Sequence, residues 1–205
     1  VAYATFGLMG FYPMEDAYTL NQPHTRFPSH TDRKLTPGVD LTTGSLGQGA
    51  STAAGAALGN KIDGRTNHVF CVVGDGEADE GQVWEAFHFA YARKLDNLIY
   101  IIDNNGYQLD GKTADILDHG DIARKAAGFG LYTQEIDGHD VEAIYQAIQN
   151  AYAKKGVPSC IVLDTIKGKG ATFAEPKREH SSQPSEEAWQ EAIAAAEKAL
   201  QEVRK

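Results

Sequence analysis

The sequence predicts an α/β protein with a parallel sheet flanked by helices, on three observations. Short unbroken apolar runs fall near Val69–Val73, Leu98–Ile102, Tyr132–Ile136 and Cys160–Ile166, as expected of strands buried on both faces of a sheet. Stretches of helical periodicity lie between them, so each strand feeds a crossover instead of a hairpin. The first two runs end in polar turns, Gly74-Asp75-Gly76 and Asp103-Asn104-Asn105. A right-handed crossover brings both turns to one edge of the sheet, at the carboxyl ends of neighbouring strands.

Taken in chain order, Val1 to Met9 reads as the middle of a buried helix and, lacking an initiator methionine, as a start inside a domain. The small residues Gly47, Gly49, Ala50, Ala53, Ala54 and Gly55 suit a helix that packs closely. Val83 to Lys94 is apolar around most of its circumference, with Trp84, Phe87, Phe89 and Tyr91, which suggests a second packing surface. A shorter helix is expected over His119 to Ala127. Val141, Ile144, Tyr145 and Ile148 share one face of a helix over Val141 to Lys154, with Asp140 placed to cap its start and Gly156 with Pro158 to end it. After the polar stretch Glu175 to Pro184, a last helix begins at Ser185. Its narrow stripe of Trp189, Ile193, Ala196, Leu200 and Val203 suits a surface helix packing back on the domain. Residues 1–205 are thus expected to form one domain, with a helix at 185–205 laid on it.

With 42% hydrophobic and 23% charged residues among 205, the chain can build one domain with a real core. A formal charge of -9 argues against nucleic acid or an anionic membrane as partner, since either repels the chain at long range. No apolar run approaches the length of a membrane span, and no basic start followed by an apolar stretch marks a signal peptide. Cys71 and Cys160 each sit inside a strand-like run and are expected as buried free thiols in a reducing compartment, so the cytoplasm is the expected location.

Chemistry is expected at the two polar turns. Asp75 and Asn105, 30 positions apart, would face one crevice. A carboxylate, an amide oxygen and a backbone carbonyl are hard oxygen ligands, suited to Mg²⁺ that keeps positions for phosphate oxygens and water. Gly74 and Gly76 would let the chain turn sharply and a phosphate approach the backbone. Competing motifs fail. A calcium loop starting at Asp75 needs glycine at position 80 and glutamate at position 86, where Glu80 and Ala86 stand. A dinucleotide fingerprint starting at Gly74 needs glycine at position 79, where Asp79 stands, and no G-x-x-x-x-G-K-[ST] loop occurs.

The series from Gly74-Asp75-Gly76 to Asn104-Asn105 resembles the signature of thiamine-diphosphate enzymes. Within them it is most similar to transketolase, because Glu80-Gly81, Trp84-Glu85-Ala86 and Asp110-Gly111 stand as transketolases place them. Upstream, Thr42-Thr43-Gly44-Ser45-Leu46-Gly47-Gln48-Gly49 resembles the family's threonine-glycine-proline-leucine-glycine-glutamine-glycine segment, with Ser45 where proline is common. The resemblance covers nearly the whole chain. It implies the diphosphate-binding domain fold, with thiamine diphosphate and Mg²⁺ as cofactors (Ca²⁺ or Mn²⁺ can substitute). The metal would be held by Asp75, Asn105 and the backbone carbonyl of Tyr107. The cofactor would also meet Gly74, Gly76 and Glu77, while Gly44, Ser45 and Leu46 would lie along its rings.

Two histidines acquire roles by the same resemblance. His30, in Pro28-Ser29-His30-Thr31-Asp32, resembles the glycine-histidine-proline segment that hydrogen-bonds the substrate's terminal hydroxyl. His180, before Ser181-Ser182-Gln183-Pro184, resembles a histidine-glycine stretch that contacts diphosphate and substrate. His24, His68, His88, His119 and His139 read as structural, the last within Asp137-Gly138-His139-Asp140, a turn leading into a helix. Two further active-site histidines of the family belong to a segment expected just before Val1. Glu80 and Glu85 match glutamates near the interface between paired active sites. Lys167, Lys169, Lys177 and Arg178 form a basic run that reads more simply as a solvated loop than as an anion guide.

The resemblance implies the amino-terminal subunit of a split transketolase, moving a two-carbon ketol unit from a ketose phosphate to an aldose phosphate in carbohydrate metabolism of the pentose phosphate type. Its partner would be a carboxy-terminal subunit carrying the pyrimidine-binding domain and its glutamate, in an α2β2 heterotetramer, and the chain alone would be inactive. The alternatives are the alpha subunit of a thiamine-dependent 2-oxoacid dehydrogenase, which shares the Gly-Asp-Gly to Asn-Asn pattern, and a noncatalytic cofactor-binding module.

Overall fold

The computed structural model describes residues 2–177, 180–181 and 183–203. The chain divides into two compact units, Val1–Gly49 and Ala50–Lys205.

In the first unit, a helix α1 (Ala2–Leu8) and a 3₁₀ turn (Met14–Thr19) accompany mostly irregular chain. Aromatic packing organises it. Phe27 is buried between Tyr3 and Tyr12, with ring centroids at 5.3 and 4.8 Å in edge-on geometry, the favoured arrangement of aromatic quadrupoles. The buried helix expected at the chain start is instead largely exposed: only Gly7 of α1 is buried, and Leu8 is 81% exposed. The core of this unit gathers around Phe27, which α1 meets through Tyr3.

The second unit carries α2 (Gln48–Ile62, beginning at the unit boundary), β1 (Val69–Gly74), α3 (Gly81–Ala92), β2 (Leu98–Asn104), a hairpin of β3 (Tyr107–Gln108) and β4 (Gly111–Lys112), α4 (Thr113–Ile116), α5 (Ile122–Gly128), β5 (Tyr132–Asp137), α6 (Val141–Ala153), β6 (Ser159–Asp164) and α7 (Glu186–Val203). Four strands form a parallel sheet in the order β1-β2-β6-β5, the α/β architecture the apolar runs predict. Alternation along β2 sends Leu98, Tyr100 and Ile102 into one core and Ile99 into another. The first core includes buried residues of α2, α3 and α5; the second rests on Ala147 and Ala151 of α6. Cys71, Tyr100 and Cys160 stand in one register row, both cysteines buried and free, as their setting in apolar runs predicts.

Several expectations are revised. β1 is an edge strand buried on one face: Cys71 and Val73 point into the core, whereas Phe70 and Val72 are 43% and 69% exposed. The last strand ends at Asp164, short of Ile166, because the Ile166 N–H is taken by the His139 imidazole at 2.8 Å. The helix expected from His119 begins at Ile122, since Asp121 adopts extended backbone and its carboxylate caps the Arg124 N–H at 2.7 Å. Asp140 caps α6 as expected, accepting from the N–H groups of Glu142 and Ala143, and Ser185 accepts from the Ala188 N–H at the start of α7. The stripe of α7 does not pack down: Ile193 is 47% and Leu200 49% exposed, and Ala192 is its buried residue. Trp189, itself 47% exposed, meets the edge of Phe173 at 4.8 Å. On α3, Trp84 and Phe87 turn inward onto Phe129 and Tyr100, while Phe89 and Tyr91 face outward.

Candidate active site

The strands that carry the site end in register, Gly74 of β1 opposite Asp103 of β2. The ladder runs one step further, the Asp75 N–H donating to the Asp103 carbonyl at 3.1 Å. Side chains then tie the two turns together. Asp75 Oδ1 accepts from the Gly76 N–H at 2.8 Å and Oδ2 from the Gly106 N–H at 2.6 Å. Because Gly106 follows Asn105, the second bond sets the loop bearing the amide against the carboxylate. Asn105 is itself fixed: its Oδ1 accepts from the Tyr107 N–H at 3.1 Å and its Nδ2 donates to Asp103 Oδ2 at 3.1 Å. The Thr165 hydroxyl, just beyond β6, donates to the other carboxylate oxygen of Asp103. Asp103 thereby decides which way the amide faces, leaving Oδ1 of Asn105 with a lone pair for a ligand.

Electrostatics favour a cation here. Asp75 is 1% exposed. Burial pushes its carboxyl above the ordinary range; the Gly106 and Gly76 N–H groups and the His119 imidazole oppose that shift, and the Asp103 charge adds to it. A buried carboxylate held by two N–H donors beside a second carboxylate keeps uncompensated charge, which a divalent ion neutralises. Among the described residues no group of three or more His, Cys, Asp or Glu forms a metal cage. The donors on offer are carboxylate, amide and carbonyl oxygens, a set suited to a hard ion.

Gly76 matters for room and not for its backbone, contrary to the turn argument from sequence. Its φ and ψ are -66° and -30°, open to any residue. A Cβ there would meet the Gln108 Cβ at 2.6 Å. Glu77 turns back to the strand end, its Oε2 accepting from the Gly74 N–H at 3.2 Å.

Within the first unit, the two motif segments lie side by side. The Thr43 N–H donates to the Thr31 carbonyl at 3.2 Å, the Thr31 and Thr43 hydroxyls are 3.0 Å apart, and a Cβ on Gly44 would fall 2.1 Å from the His30 ring. With φ at +141°, Gly44 also has a backbone that disfavours any side chain. The Ser45 carbonyl accepts from the Gln48 N–H, and Leu46 is 57% exposed. His180 is exposed. Of the basic run, Lys169 lies 3.9 Å from Glu175, and Arg178 falls outside the described residues. His139 Nε2 accepts from the Ile166 N–H at 2.8 Å.

Sequence reasoning missed Asp103, Gly106 and Thr165. Asp103 carried a signal as the first residue of Asp-Asn-Asn; Thr165 carried none, because its bond to Asp103 depends on β6 lying beside β2.

The Asp75 carboxylate and the Asn105 amide thus stand in neighbouring turns at the carboxyl ends of adjacent parallel strands of an α/β domain. Residues 1–200 match the family model described as transketolase, thiamine diphosphate binding domain, and the chain belongs to that family. It is 47% identical over 197 residues to the 6-deoxy-6-sulfo-D-fructose transketolase subunit SqwG of Clostridium sp. (strain MSTE9), covering 96% of this chain and 72% of that protein. It is 35% identical over 177 residues to an apulose-4-phosphate transketolase subunit of Actinobacillus succinogenes, covering 86% of this chain and 64% of that one. Among solved structures, transketolase from Campylobacter jejuni superposes with a TM-score of 0.86 at 30% identity, over 95% of this chain and 32% of that chain. The chain therefore spans about two thirds to three quarters of these subunits and about a third of the longer enzyme. No helix among the described residues is long and apolar enough to cross a membrane.

Proposed function

We propose that the chain is the cofactor-diphosphate subunit of a two-chain transketolase, with Mg²⁺ held by Asp75, Asn105 and the backbone carbonyl of Tyr107. The observation that carries this reading is the pair of bonds from Asp75 to Gly76 and Gly106, which draws both polar turns around one buried, uncompensated carboxylate. The donor set fits the ion, and the close approach of Gly76 to Gln108 leaves that turn without a side chain where a diphosphate has to come near. Thiamine diphosphate, held through its diphosphate by the turns at Gly76 and Asn105, would supply the carbanion chemistry that ketol transfer requires. This chain's residues bind and orient. Asp75 and Asn105 fix the ion, Asp103 and Thr165 hold Asn105, and Gly74 and Gly76 admit the diphosphate. Glu77 supports the turn through its bond to the Gly74 N–H. In the other unit, the roles of His30 toward the substrate hydroxyl and of Gly44, Ser45 and Leu46 toward the cofactor rings rest on motif likeness, as does that of His180.

Two of the relatives are named as transketolase subunits, acting on a sulfo-sugar and on a sugar phosphate. A ketose with a terminal anion is accordingly the donor class, and a pyrimidine-binding subunit is the partner. The two chains would assemble as α2β2, with Glu80, just before α3, and Glu85 of α3 near the joint. Reconstitution tests this. The chain mixed with a pyrimidine-binding subunit should transfer a ketol unit from a ketose phosphate to an aldose phosphate only in the presence of thiamine diphosphate and Mg²⁺, and each chain alone should not. Decarboxylation of pyruvate without ketol transfer would assign the 2-oxoacid dehydrogenase chemistry instead, and cofactor binding without turnover would leave a binding module.

A further inference from the structure

Buried polar groups without partners mark what a fold is built to meet. Gln108 and His119 each bury a side-chain Nε2 that has no hydrogen-bond partner among the described residues. They differ in what they offer. His119 Nδ1 lies 3.2 Å from the Gly120 carbonyl, and its Nε2 donates or accepts according to the tautomer. The Gln108 amide nitrogen is a donor with two hydrogens. It is also placed at the diphosphate turn: the Gln108 Cβ and Oε1 would stand 2.6 and 3.4 Å from a Cβ on Gly76. Its backbone is held by the β3–β4 pairing, Gln108 opposite Gly111. One residue earlier, the Tyr107 N–H is bound to Asn105.

We propose that Gln108 is a diphosphate-binding residue, its Nε2 donating to an anionic oxygen of the cofactor at the Gly76 turn while the preceding residue's carbonyl serves the cation. This rests on the metal–diphosphate reading above and adds a side-chain donor to it. A single loop thus reaches both charges of the ion pair, the cation through its backbone and the anion through its amide.

The test is calorimetric titration of the full chain with Mg²⁺ and inorganic pyrophosphate, and separately with Mg²⁺ and thiamine diphosphate. Gln108→Met keeps length and loses the donor; it should weaken both probes by about ten-fold. Its unliganded melting temperature should be unchanged or higher, because a frustrated amide has been removed. Gln108→Glu places an anion against the diphosphate and should weaken binding further than Gln108→Met. In the wild-type chain, the side-chain amide NMR signals of Gln108 should move on addition of Mg²⁺ and pyrophosphate, a readout that needs no variant to fold. Binding within two-fold of wild type in both variants, or amide signals that stay still while pyrophosphate binds, overturns the proposal and leaves the metal site standing. A wild-type chain that binds neither probe overturns both.

Discussion

Adding one methyl group at Gly76 should disable the site through crowding alone. The backbone there is helical, with φ at -66°, so alanine incurs no conformational strain. Its Cβ would lie 2.6 Å from the Gln108 Cβ and 3.5 Å from the Gln108 Cα, against an ordinary carbon–carbon separation of about 3.5–4.0 Å. About 1 Å must therefore be absorbed, and since a Cβ cannot swing away by rotamer change, the β3 segment has to move. Overpacking of this kind costs about 1–3 kcal/mol. The same movement displaces the Tyr107 carbonyl, and disturbances next to metal ligands typically weaken metal binding by about 10–100-fold. Chemical denaturation and Mg²⁺-dependent thiamine diphosphate titration measure the two effects on Gly76→Ala. Two comparisons isolate the cause. Gly55→Ala, inside α2 with nothing within 4 Å of its Cβ, should stabilise the chain by about 0.5–1 kcal/mol. Gly76→Ala combined with Gln108→Gly should recover the stability lost to the clash. A Gly76→Ala chain as stable and as tight-binding as wild type would refute the crowding argument.

Thr165→Val keeps the shape of the side chain and removes the hydroxyl that donates to Asp103. Mg²⁺ affinity should fall about 10–100-fold with the fold retained, as seen by titration and circular dichroism. Asp96 receives the Lys61 ammonium at 2.7 Å and the Gly156 N–H at 2.8 Å; burial pushes its carboxyl up, but these partners outweigh burial and hold it below the ordinary range. A lowered folded value stabilises above the unfolded value of about 4 and is lost as pH falls through the lowered one. Asp96→Asn should thus cost about 1 kcal/mol or less at pH 7, after allowing for partial exposure of the pair, and the difference from wild type in urea denaturation should close as pH drops below about 4. Burial pushes the Cys71 and Cys160 thiols up to about 12. At pH 8 neither should react with a thiol reagent until denaturant is added.

The sheet was legible because burial on both faces leaves unbroken apolar runs, and β2, with Leu98, Tyr100 and Ile102 on one side and Ile99 on the other, is such a strand. β1 shows the limit of that reasoning: Phe70 and Val72 are apolar yet exposed, and a run of like residues does not say which strand lies at an edge. Caps were legible where one side chain answers to its own helix, as at Asp140. The start of α5 was not, because apolar spacing says little about a first turn that Asp121 fixes locally. At the site, Asp75 and Asn105 could be paired through the crossover that joins their strands. Thr165 reaches Asp103 across 62 positions of sequence, and the requirement for Gly76 comes from Gln108, residues that only the folded loop brings together.

One divalent ion is expected between the turn after β1 and the turn after β2. Crystals of the full chain grown with Mn²⁺ and thiamine diphosphate test it through anomalous scattering. A single strong peak is expected within about 2.0–2.3 Å of an Asp75 carboxylate oxygen, Asn105 Oδ1 and the Tyr107 carbonyl. Bound thiamine diphosphate with the manganese elsewhere, or with Asp75 still engaged only by Gly76 and Gly106, would contradict it.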